Sequence, residues 1–141
     1  MEDKTTGDLA SELMSQASLD SYLKDNRNIF SNKSTAEFLA ALCERHPIAK
    51  NALARKAGMS EVYLRQVLSG RRSPSRDRLL CLCLVLEATL EETQALLRCA
   101  SHAQLYPKNK RDAIISHGII HGTDLAEVND KLFSENEKTL F

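Results

Sequence analysis

Apolar residues along the chain recur mainly at helical spacing, and the polar residues between them supply caps and stops. Leu9, Leu13 and Met14 form one weak stripe, but Thr5-Thr6-Gly7 breaks the pattern, so residues 1–17 read as a flexible N-terminal tail. Ser18 suits the start of a short helix through Leu19, Tyr22 and Leu23 that ends near Asn26-Arg27-Asn28, within a helix-and-linker segment 18–33. Ser34-Thr35-Ala36-Glu37 has the form of a capping box, opening a helix with Phe38, Leu39, Leu42 and Cys43 on one face that stops before Pro47. A short helix runs from Lys50 to about Lys56 and ends at Ala57-Gly58. Ser60 caps the next, which carries Leu64, Val67 and Leu68 and closes at Gly70.

Arg71-Arg72-Ser73-Pro74 reads as a loop, and Ser75 as the cap of the helix after it. From Leu79 to Leu86 every side chain is apolar or Cys, so this helix has no wet face and must be covered all round. Thr89-Leu90-Glu91-Glu92 is a second capping box, before a helix through Leu96, Leu97 and Cys99. Two more helices are predicted. One runs from about Lys108 to His121 with Ile114, Ile115, Ile119 and Ile120, and the other starts at Thr123 with Leu125, Val128, Leu132 and Phe133. Ser134 to Phe141 should fray. Strand alternation is missing and no repeat is evident, so the fold class is all-α.

Charge changes this picture more than composition does. With 141 residues, 43% hydrophobic and 27% charged, the chain has single-domain length and ordinary globular composition. Its formal net charge is zero, which excludes a uniformly basic coat. The distribution is uneven: residues 48–80 carry 8 basic and 2 acidic side chains between two acidic flanks. Such a segment suits an anionic partner. No apolar run is long enough for a membrane span, and Met1-Glu2-Asp3-Lys4 opens no secretory signal, so a cytoplasmic protein without membrane contact is expected.

Candidate chemistry is sparse. Cys43, Cys81, Cys83 and Cys99 lack paired zinc spacing and read as reduced, buried core residues. His117 and His121 share a helix face without a third ligand nearby, so no metal and no cofactor is expected. No nucleophile triad, glycine-rich phosphate loop or carboxylate pair suggests an enzyme.

Leu53-Ala54, Gly58-Met59-Ser60, Leu64, Val67 and Gly70-Arg71-Arg72-Ser73-Pro74-Ser75 together resemble the phage-repressor-like (Cro/XRE) helix-turn-helix family. The resemblance covers roughly residues 35–97 and implies a five-helix lambda-repressor-like domain over 34–100. Leu105-Tyr106-Pro107-Lys108-Asn109-Lys110-Arg111-Asp112-Ala113-Ile114-Ile115, with the later Glu127-Val128-Asn129 helix, is similar to the C-terminal extension of regulators of this type in Firmicute-like, hence bacterial, genomes. A two-helix extension over 101–134 and a frayed tail over 135–141 would complete the chain.

The resemblance implies a DNA-binding transcriptional regulator, a repressor, bound to double-stranded DNA as a homodimer with the helix after Ser60 in the major groove. Base-reading candidates are then Glu61, Val62, Tyr63, Arg65 and Gln66. Phosphate-contact candidates are Lys50, Asn51, Ser60, Arg71, Arg72 and Arg76. A second reading stays open: a protein-interaction adaptor on the same scaffold without base readout. Its partner would meet the Tyr63, Arg65 and Arg72 face or the Thr5-Thr6-Gly7 tail, which could also accept a phosphate.

Overall fold

A computed structural model describes residues 4–15, 19–20 and 33–141, in two compact units, 1–31 and 32–141. All regular structure among the described residues is helical. In the first unit, α1 spans Thr6–Ser15. The sequence predicts a loose tail here, but Thr5 starts the helix: its hydroxyl accepts from the Asp8 backbone N–H at 3.1 Å, and the Asp8 carboxylate accepts from the Thr5 N–H at 3.2 Å. This reciprocal cap satisfies two donors that Gly7 alone would leave open. Leu19 and Asp20 are helical, while the rest of the helix expected from Ser18 lies outside the described residues.

The second unit contains α2 (Lys33–Arg45), α3 (Lys50–Lys56), α4 (Glu61–Leu68), α5 (Arg76–Val85), α6 (Leu90–Cys99), α7 (Lys110–His121) and α8 (Leu125–Ser134). Helix α2 begins at Lys33, so Ser34 stands inside the first turn rather than capping it. The Ser75 cap and the Thr89–Glu92 capping box form as the sequence predicts. Asn109 and Asp124 cap α7 and α8, each one residue after the predicted start. In each case a short polar side chain accepts from an otherwise unpaired N–H of the first turn.

Helix α5 is the centre of the core. Leu79 to Leu84 and Leu86 are all buried, and the helix packs against α3, α6, α7 and α8. Ile115, Ile119, Leu125, Val128 and Leu132 of the last two helices belong to the same apolar cluster. The extension therefore supplies the cover that an all-apolar helix requires.

The segment after α8, expected to fray, runs back over the domain. Leu140 is only 5% exposed, and its N–H donates to Asn129 Oδ1 at 2.7 Å. Arg111 donates to the carbonyl oxygens of Lys138 at 2.8 Å and Thr139 at 3.2 Å. These contacts give the segment an apolar anchor and backbone partners, which a frayed end lacks.

The cysteines divide. Cys81 and Cys83 are buried, and desolvation pushes both thiols up to about 12. Cys43 is half-buried, and Cys99, expected in the core, is exposed with its Sγ 3.8 Å from Thr35 Oγ1. Among the described residues no helix is long and apolar enough to cross a membrane.

Candidate nucleic-acid interface

Helices α3 and α4 are joined through Ala57, Gly58, Met59 and Ser60. The Met59 N–H bonds the Ala54 carbonyl at 2.9 Å and the Gly58 N–H bonds that of Arg55 at 3.2 Å, which closes α3 in a Schellman turn. Gly58 has φ 72°, a left-handed conformation that disfavours a Cβ. A Cβ there would also stand 2.7 Å from the Phe141 ring. Ser60 then starts α4, its hydroxyl accepting from the Tyr63 N–H at 3.1 Å.

Burial fixes which way α4 faces. Leu53, Ala54 and Ala57 of the α3 segment and Leu64 and Val67 of α4 are buried, the last two completely. The opposite side of α4 carries Val62, 67% exposed, and Arg65, also exposed, with Glu61 and Gln66 half-buried. Four of the five base-reading candidates are thus gathered on one outward strip.

They are not independent. Glu61 Oε1 accepts from Arg65 Nη2 at 2.7 Å and Nε at 3.2 Å. Gln66 Oε1 accepts from Arg72 Nε at 2.9 Å. Tyr63, the fifth candidate, is half-buried and meets two guanidinium groups, Arg72 at 5.4 Å and Arg78 at 5.0 Å from the ring centroid. Arg78 also donates to the Gly58 carbonyl at 3.1 Å. Sequence reasoning misses this connection from the turn through Arg78 and Tyr63 to Arg72 and Gln66. It joins residues up to 20 positions apart, and no local pattern announces it.

The phosphate candidates separate. Lys50, Asn51, Arg71 and Arg72 are exposed on either side of α4 in sequence. Among the described residues no ion pair engages Lys50, Arg55, Lys56 or Arg71. Asn51 Oδ1 accepts from the Ala52 N–H at 2.9 Å, which leaves its amide donors outward-available. Ser60 spends its oxygen on the cap and keeps its O–H as a donor.

Arg76 differs from the other candidates in being engaged within the fold. Its guanidinium donates to both oxygens of Asp112, at 3.1 and 3.0 Å, and to the carbonyls of Ala103 and Gln104. Four of its five donors are thereby engaged inside the fold, which leaves one for any phosphate.

The His117 and His121 rings lie with centroids 4.2 Å apart and are tilted by 39° to one another. Among the described residues no group of three ligand side chains forms around them.

Residues 35–96 match the family model of a helix-turn-helix domain, a span from α2 into α6 that is less than half of the chain. No curated protein and no solved structure matches the chain.

Proposed function

We propose that this chain is a DNA-binding transcriptional regulator, a repressor of the phage-repressor-like type, that lays α4 in the major groove of double-stranded DNA. One observation carries the reading: α4 is two-sided. Leu64 and Val67 pin it completely to the core, while Val62, Arg65, Glu61 and Gln66 face outward, with exposed cations before and after them in the sequence. The major groove is about 12 Å wide and admits a helix presented in this way. Lys50, Asn51 and the Ser60 hydroxyl on one side, with Arg71 and Arg72 on the other, would hold the phosphates.

The acidic flanks sharpen this arrangement. Residues 1–47 and 81–141 each carry more acidic than basic side chains, so the basic segment is the part of the chain that an anionic duplex attracts. The same proposal gives the two-helix extension the role of core cover, as in Firmicute-type regulators, and has the protein act in the cytoplasm as a homodimer on a two-fold site.

A fluorescence-anisotropy titration at low salt tests it, first with random duplex and then with the DNA upstream of the protein's own gene. Salt-sensitive binding that favours the upstream sequence is the expected result. No binding to any duplex at low salt would sink the proposal and turn the Tyr63, Arg65 and Arg72 face over to a protein partner.

A further inference from the structure

We infer that Arg72 holds Gln66 as a hydrogen-bond donor, and that Gln66 and Val62 together read a thymine rather than an adenine. The inference rests on the DNA-binding reading above and names the base edge that its reading helix takes.

Arginine has only donors, so the Gln66 amide atom facing Arg72 Nε at 2.9 Å is the carbonyl oxygen. The amide is therefore oriented by chemistry as well as by space. Arg72 is itself held at several points. Its backbone N–H donates to the Gln66 carbonyl at 3.2 Å, and its guanidinium lies over Tyr63. Tyr63 in turn meets Arg78, which is tied to the Gly58 carbonyl.

A glutamine reads adenine by accepting from N6 and donating to N7 at once. Here the accepting oxygen already holds a cation, and the positively polarised N6 amino group meets that charge on approach. What Gln66 still offers freely is its amide N–H donors. A donor fits a base acceptor, which guanine (O6, N7), thymine (O4) and adenine (N7) all present, but beside adenine N7 stands the N6 amino group that the Arg72 charge disfavours.

Val62 decides between them. It lies four residues before Gln66, on the same helical strip, and is the most exposed apolar side chain of α4. Exposed valine gains by covering another apolar group, and the thymine C5-methyl is the one such group in the major groove. Thymine alone combines an acceptor with a methyl. Arg65, the natural guanine reader on this strip, is engaged by Glu61.

The test begins with selection of binding sites from a random duplex library by the full chain and by Gln66→Ala. The position whose preference Gln66→Ala abolishes is the Gln66 position; an A·T pair is expected there, and the uracil exchange shows whether its thymine is the base contacted. Replacing that thymine by uracil removes the methyl and keeps O4. It is expected to weaken wild-type binding about fourfold, the worth of one buried methyl group, and to leave Val62→Ala nearly unaffected. Arg72→Lys keeps the charge but not the fixed fork. Read as the ratio of affinities for the selected site and for the same site with that base pair exchanged, the preference is expected to fall about tenfold. A G·C pair at the Gln66 position, no effect of uracil, or an undiminished preference in Arg72→Lys each overturns the inference and leaves DNA binding standing. Absence of duplex binding by the wild type overturns the underlying reading instead.

Discussion

Asp112 takes both ends of the Arg76 guanidinium, accepting from Nη1 at 3.1 Å and from Nη2 at 3.0 Å. The neighbouring residue on each helix repeats the contact with the charges exchanged: Asp77 accepts from Arg111 Nη1 at 3.0 Å and Nη2 at 3.1 Å. Two bidentate pairs of opposite polarity thus join the first turn of α5 to the first turn of α7. Asp112 also accepts from the Tyr106 N–H at 3.0 Å. With Arg76 on the carbonyls of Ala103 and Gln104, residues 103, 104 and 106 of the connection between α6 and α7 are tied to this cluster, while Gln94 holds Leu105 and His102 meets the Pro74 carbonyl.

Removing one partner of such a largely buried pair leaves the other charge without compensation. Asp112→Ala is therefore expected to lower the unfolding free energy by about 3 kcal/mol, read as a lower midpoint in urea. Asp112→Asn keeps the shape and one acceptor and should lose less. A midpoint unchanged in Asp112→Ala would mean that the connection is held by something else.

Arg71 and Arg76 should part in their salt dependence. Arg71 is exposed and has no ion pair among the described residues, whereas Arg76 is committed to Asp112. If Arg71 neutralises a phosphate, Arg71→Ala reduces the slope of log affinity against log salt by about 1. Arg76→Gln leaves the slope unchanged when both proteins are measured fully folded. Equal reductions from the two substitutions would show that Arg76 leaves Asp112 on binding DNA.

The difference between these two arginines marks what a sequence can carry. The Gly58 turn, the Ser60 cap and the Thr89–Glu92 box are legible because each depends on residues within five positions of one another. The need to cover Leu79 to Leu86 is equally legible, since an apolar circumference demands partners whatever they are. Arg76 looks like its neighbours Arg71 and Arg72 in sequence because its carboxylate lies 36 residues away. The same reason hides the anchoring of Leu140 on Asn129. The Thr5-x-x-Asp8 cap is local and present, but Gly7 between its members reads as a break. At the interface, the outward strip of α4 comes from its helical period, whereas the Arg72–Gln66 contact depends on how the loop after Gly70 folds back.

Acid should weaken the fold through Glu92. The side-chain hydrogen bond from Arg45, then that from the Thr89 backbone, holds its carboxyl at about 2, below the ordinary 4.5. A depressed carboxylate contributes stability that is complete above its unfolded value and is lost as pH falls through its folded one. The contribution should thus fade between about pH 4.5 and about pH 2. Glu92→Gln retains an acceptor for the Thr89 N–H but not the charge. At neutral pH it is expected to cost about 1 kcal/mol, a modest figure because solvent screens the pair. The gap from wild type should narrow steadily as the urea titration is repeated toward pH 2. A gap that stays constant across that range would assign the effect to the cap and not to Arg45.

Gly118 sets two effects of opposite sign against each other. It lies buried within α7, where alanine is the better helix former by about 1 kcal/mol. An added Cβ, however, would stand 2.5 Å from Val128 Cγ2 at the crossing with α8. Val128 is buried and β-branched, so it has few rotamers with which to give way. Overpacking of this kind costs about 1–3 kcal/mol, and packing should win, making Gly118→Ala less stable than wild type. In a Val128→Ala background the obstructing methyl is gone, and the same substitution should become neutral or stabilising because only the helix propensity is left. The four urea midpoints of this cycle decide the matter. A penalty for Gly118→Ala that is the same in both backgrounds would place the obstruction in the backbone of α8 instead of in the Val128 side chain.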